Sequence, residues 1–149
     1  MKVDIVERVV ETDDINIVLV GAKNFPDSSL LAKGHILICH NNRKKVKCFD
    51  DNLSIAKLEG VVDAIGSLFA MHGVNSFVKL RERFLINIDN LYEIRVRSSS
   101  SNLYFLEAEF QNGQVFTLYR GSVLKYAKQL LEQYKNAENK YLEQFGSER

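Results

Sequence analysis

The sequence predicts an α+β fold in which strands dominate, and three observations carry that expectation. Short runs of branched aliphatic and aromatic residues recur through residues 3–57 and 77–120, with polar turn clusters between them. In the middle, Leu58, Val61, Val62, Ile65, Leu68 and Phe69 recur at three- and four-residue steps, the spacing of one helical face. The same spacing returns after Ser122 and persists almost to the end of the chain. No internal repeat or linker divides these elements, so they read as one β-rich domain.

Taken in order, Val3–Val10 and Ile15–Val20 read as strands, the second suited to a half-buried pleated surface. Asn24–Ser29, which holds the only proline, is a turn cluster. His35–Cys39 and Lys45–Phe49 flank the polar connector His40–Lys44, the pattern of a hairpin with a basic tip. Asp50–Asn52 reads as a further turn and Leu53–Lys57 as a short strand. The competing reading makes Ser54 a helix N-cap. The first helix covers Leu58–Phe69, with Gly73 as its stop. Phe77–Arg83, Phe84–Asn87 and Leu91–Arg97 are strands, the last expected to put Leu91, Glu93, Arg95 and Arg97 on one face. Ser98–Asn102 is a connector. Leu103–Phe110 and Gln114–Arg120 form a hairpin around Gln111-Asn112-Gly113, since Asn-Gly is a strong hairpin signal. The final helix, capped by Ser122, carries the stripe Val123, Ala127, Leu130, Tyr134, Ala137 and Tyr141, and Gly146 ends it.

Charge narrows the function classes. The 149 residues carry 20 basic and 19 acidic side chains, a net charge of +1 that excludes a globally basic protein but not a basic face. Residues 1–34 balance at −2, 35–128 at +4 and 129–149 at −1, so the cations concentrate in the middle. They fall in runs: Arg43-Lys44-Lys45-x-Lys47, Lys79-x-Arg81-x-Arg83, Arg95-x-Arg97, and Arg120 with Lys125 and Lys128. Any single run usually marks only a solvated face. Significance depends on whether the fold gathers several.

No catalytic signature is present: no nucleophile elbow, dinucleotide-binding glycine motif, P-loop, zinc-protease helix or C-x-x-C. His35 and His40, five apart, fall on opposite faces of a strand, and no metal or cofactor is expected. Cys39 and Cys48, roughly equidistant from the hairpin tip, are expected as cross-strand neighbours with packed, reduced thiols. Without a signal peptide or a membrane-length apolar run, the expected setting is cytoplasmic, without membrane insertion.

Two motifs carry a family resemblance. Phe77-Val78-Lys79-Leu80-Arg81-Glu82-Arg83-Phe84-Leu85-Ile86-Asn87, continuing through Leu91 and Ile94, resembles the F-x-R-I-H-R-S-Y-L-V-N signature of the LytTR family of bacterial DNA-binding domains. Downstream, Asn112-Gly113-Gln114 to Tyr119-Arg120 resembles its second signature, a D-G turn opening a strand that ends before the last helix. More loosely, Ile36–Lys57 is similar to the family's I-x-Y-I-E hairpin region. The resemblance covers about residues 35–134. It leaves residues 1–34 as strands packed on that core and 135–149 as a helical extension. Departures are Arg81-Glu82-Arg83 in place of H-R-S, and Gly121 where a polar residue is usual.

The resemblance implies an elongated stack of small antiparallel sheets whose loops enter successive major grooves of promoter DNA. The implied partners are double-stranded DNA with repeated half-sites, a second copy of the chain through the C-terminal helix, and an inhibitor or activator protein. Asn42, Arg43, Lys44, Lys45, Lys79, Arg81, Glu82, Arg83, Tyr119, Arg120, Ser122 and Lys125 are the implied DNA-binding positions. Arg81 and Arg120 are the candidate base readers, because arginine matches guanine O6 and N7. The alternative is a protein-interaction module on the same fold without DNA binding. No enzymatic role is expected.

Overall fold

The computed structural model describes residues 1–5, 8–22 and 29–146, so the Asn24–Ser28 part of the turn cluster lies outside the described residues. Among the described residues, ten strands form three antiparallel sheets. β1 (Lys2–Ile5) and β2 (Arg8–Glu11) pair as a hairpin where a single strand was expected. The middle sheet contains β3 (Ile15–Ala22), β4 (Lys33–His40), β5 (Lys45–Ser54), β6 (Phe77–Leu80) and β7 (Phe84–Asn87), in the order β5-β4-β3-β7-β6. The third sheet has the order β10-β9-β8, from β8 (Leu91–Ser98), β9 (Tyr104–Phe110) and β10 (Val115–Gly121). Among the described residues, two α-helices, α1 (Ile55–Met71) and α2 (Leu124–Phe145), complete the mainly β, α+β architecture.

The five-stranded sheet is a middle layer because both parities of its strands are apolar. Ile17, Leu19, Cys39, Val78, Leu80, Phe84 and Ile86 point to a core shared with the three-stranded sheet and α2. Val18, Val20, Ile36, Ile38, Cys48 and Leu85 point the other way, to β1–β2 and α1. β3, expected half-buried, is therefore buried on both faces, and it forms the centre of the sheet rather than part of an added extension.

Other boundaries moved for local reasons. Ser54 is the cap: its hydroxyl accepts from the Lys57 amide at 3.4 Å, so Leu53–Lys57 is no separate strand and α1 starts at Ile55. β5 continues through Asp50–Asn52 instead of turning; Phe49 takes φ +60° beside a register shift against β4. At the start of β8 another shift, between Leu91 and Glu93, sends Leu91 inward with Ile94 and Val96 and leaves Tyr92 exposed. α2 is capped at Val123, not Ser122, with no side-chain cap bond. Its stripe is spent on the sheets. Ala127, Leu130 and Tyr134 are buried, Ala137 and Tyr141 pack against the same core, and the Tyr134 hydroxyl donates to Glu138 at 2.8 Å. A dimer through this helix would therefore join its polar face.

The cysteine expectation is overturned in one respect. Cys48 pairs with Ile36 and Cys39 with Lys45, so the two thiols lie on opposite faces of the sheet and in different cores. Both are buried and reduced. Burial pushes the Cys39 thiol up to about 11, so at pH 8 about one molecule in a thousand would carry its thiolate. Neither cysteine should react with a disulfide reagent at pH 8 until the protein unfolds, and then both should. Rapid labelling of the folded chain would contradict this packing.

Candidate nucleic-acid interface

Nine of the twelve candidate positions fall at the two ends of β10, and Lys79, Glu82 and Arg83 lie at the β6–β7 corner. At the start of β10, two hairpin tips adopt the same geometry. In the β4–β5 tip the Arg43 amide reaches the His40 carbonyl at 3.0 Å and the His40 amide reaches the Lys44 carbonyl at 2.9 Å. In the β9–β10 tip, Gly113 and Phe110 repeat this with Phe110 and Gln114 at 2.9 and 2.8 Å. The left-handed position is Gly113 (φ +88°) in one tip and Arg43 (φ +72°) in the other. Asn-Gly thus closes a turn followed by a left-handed glycine, the three-residue form of hairpin. A non-glycine residue at such a position is costly. Arg43 is held there by its side chain, which donates from Nη2 to the Asn112 carbonyl at 2.8 Å. Asn112 answers by donating to the Asn41 carbonyl at 2.8 Å. Arg43 therefore docks one tip on the other, while Asn42, Lys44 and Lys45 remain exposed.

The run Lys79–Arg83 spans the end of β6 and the β6–β7 turn and is largely neutralised. The Arg83 amide closes the turn on the Leu80 carbonyl at 3.2 Å, and both central residues, Arg81 (φ +54°) and Glu82 (φ +60°), are left-handed. Two positive φ angles define a type I′ turn, which favours Asn-Gly and strains other pairs. Lys79 Nζ lies 2.8 Å from Asp63 of α1 and 3.0 Å from Glu82, hydrogen bonds that hold its ammonium pKa above the usual lysine value. Arg83, only 10% exposed, donates from Nε to Glu59 at 2.8 Å. Glu59 and Asp63 stand one turn apart on α1, a spacing that faces both carboxylates to the same strands.

Arg81 reaches the other end of β10. Its Nη1 donates to the Leu118 carbonyl at 2.8 Å, and its guanidinium lies 5.6 Å and 5.9 Å from the ring centres of Tyr119 and Tyr126. A bulge between Thr117 and Tyr119 creates this seat. It turns both Leu118 and Tyr119 into the core and restores Arg120 to the outer face, opposite Phe105. Gly121 is required because a Cβ there would collide with the Tyr119 hydroxyl, which accepts from the Val123 amide at 3.4 Å. Beyond it, Ser122, Lys125 and Lys128 are exposed at the start of α2.

The fold therefore joins Arg81, Tyr119, Arg120, Ser122 and Lys125 at one end of β10, and Asn42 to Lys45 at the other. From Val115 to Arg120 the strand spans about 16 Å at about 3.3 Å per residue. Lys44, Lys45, Arg120 and Lys125 have no ion pair among the described residues. Nearby cations on the outer face are spent. Arg97 binds both oxygens of Glu107 at 3.2 Å and stacks 4.4 Å from the Phe105 ring centre, and Arg95 pairs with Glu109 at 2.8 Å. Sequence reasoning missed Tyr126, Asn112, Glu59 and Asp63. The apolar pair Leu118-Tyr119 in an alternating strand was the readable sign of the bulge.

Among the described residues, no group of three or more histidine, cysteine or acidic side chains is placed to hold a metal ion. No helix is long and apolar enough to cross a membrane. No family model, curated protein or solved structure matches the chain.

Proposed function

We propose that the chain is a sequence-specific DNA-binding transcription regulator of the kind its resemblance to the LytTR family implies. The observation that carries the reading is the β10–α2 junction. Exposed Arg120 and Lys125, without ionic partners among the described residues, stand there on a corner braced by Arg81. Such cations neutralise phosphates and release counterions, which supplies most affinity for duplex. The uncapped start of α2 adds backbone amides that favour an anion. Lys44 and Lys45 supply a second contact along β10. Arg120 is the base reader, and Arg81 is its positioning residue, since its guanidinium is engaged with Leu118.

Three phosphate contacts, from Lys44, Lys45 and Lys125, give a slope of about −2.7 in a plot of log affinity against log salt. Fluorescence anisotropy with a labelled duplex measures it. Binding that ignores salt, or no binding at all, would reject the reading. The alternative, a protein-interaction module, draws support from the ion pairs that occupy Lys79 and Arg83. Selection from randomised duplexes separates the two, because an interaction module would enrich no sequence.

A further inference from the structure

The β6–β7 corner holds three basic side chains, Lys79, Arg81 and Arg83, against three acidic ones, Glu59, Asp63 and Glu82. We infer that Asp63 and Glu82 act as a charge mask on Lys79, holding a phosphate-binding cation in reserve beside the proposed DNA surface. The inference rests on the DNA-binding reading and specifies how that surface is restrained.

The two paired cations differ in a way that identifies the masked one. Arg83 is 10% exposed and its carboxylate partner 22%, so this pair is part of the packing between α1 and the turn. Lys79 is 36% exposed, and Asp63 and Glu82 are both 61% exposed. Its ammonium is within reach of a phosphate, yet two carboxylates share it. One would satisfy an ion pair at the surface, where such pairs add little stability. The second carboxylate leaves Lys79 and its two partners with a net negative charge, which repels a phosphate approaching that ammonium.

The backbone explains why Glu82 takes this part. Left-handed φ at residue 82 belongs to a type I′ turn, where glycine would be unstrained. A glutamate there stores strain, the kind of local cost that accompanies functional positions. Its carboxylate reaches back three residues to Lys79. Because Arg81, in the same turn, grips the Leu118 carbonyl two residues before Arg120, the mask lies next to the junction proposed to meet DNA.

The test compares wild type with the Asp63→Asn/Glu82→Gln double variant, by anisotropy with one labelled duplex across a salt series. Both substitutions are isosteric and at exposed positions, and thermal melting verifies the fold. Freeing one cation steepens the slope by about 0.9, equivalent to a further three- to fourfold gain in affinity on lowering salt fourfold. Adding Lys79→Ala to the double variant should return the slope to the wild-type value, whereas Lys79→Ala alone should leave it unchanged. A folded double variant with the wild-type slope overturns the mask while leaving DNA binding intact. A gain that survives Lys79→Ala also overturns it, assigning the effect to the carboxylates' own repulsion. Absence of duplex binding by both proteins rejects the DNA-binding reading itself.

Discussion

Arg120→Ala is expected to lower duplex affinity by about 5- to 150-fold, or 1–3 kcal/mol, while leaving the melting temperature within about 2 °C of wild type. The separation follows from the bulge at Thr117–Tyr119, which puts the Arg120 side chain on the outer face without an ion pair among the described residues. Truncating it removes no hydrogen bond or ion pair among the described residues, and surface substitutions of that kind stay within about 0.5 kcal/mol. Arg97 supplies the control in the same row. It flanks Phe105 from β8 as Arg120 does from β10, but it is bound to Glu107 and stacked on the ring. Arg97→Ala should lower stability and leave affinity nearly intact. The selected sequence decides what Arg120 does. Relaxed preference at one base with an unchanged salt slope marks a base contact, whereas uniform weakening with a slope reduced by about 0.9 marks a phosphate contact. Unaltered affinity would remove Arg120 from the interface.

Much of the fold was legible because its strands are short and their turns chemically marked. Asn112-Gly113 announced a hairpin, and the three- and four-residue stripes announced both helices. The layer order was less legible. β3 presents branched aliphatics at every position, a pattern that does not distinguish a strand buried on both faces from one buried on one. Register shifts were invisible for a related reason. An alternation rule assigns faces by parity, and one extra residue reverses every assignment after it. Leu91 was affected in this way.

The candidate site was legible as a set of cations but not as a set of roles. Arg43 and Arg120 look alike in sequence, each in or beside a turn. Arg43 faces a backbone carbonyl 69 positions away, and Arg120 faces outward. Lys79 and Lys125 differ similarly, because Asp63 comes from a helix 16 residues earlier. Long-range partners decide whether a charge is structural or available, and periodicity carries no information about them. The two left-handed residues at Arg81-Glu82 were also hidden, since turn chemistry would have placed Asn-Gly there.

That strain gives the strongest stability prediction. Arg81→Ala should destabilise the protein by about 2–3 kcal/mol. The loss combines a charge-assisted hydrogen bond to the Leu118 carbonyl with cation–π contacts to Tyr119 and Tyr126. For a chain of this length, that is a fall of about 5–10 °C in melting temperature. Alanine recovers none of the left-handed strain, because it keeps a Cβ. Arg81→Gly loses the same contacts but relieves about 1 kcal/mol of strain, so glycine should be the less damaging substitution, the reverse of its usual order with alanine. Glu82→Gly extends the argument. It sacrifices an exposed ion pair whose lysine retains Asp63, and it relieves strain of similar size. The melting temperature should therefore hold steady or rise. Urea unfolding of the three variants reads all of these effects. If glycine proved worse than alanine at position 81, the left-handed turn would not be the source of the strain. If Arg81→Ala proved neutral, its guanidinium would not brace the β10–α2 corner, and Arg120 would stand on a loose end rather than a rigid one.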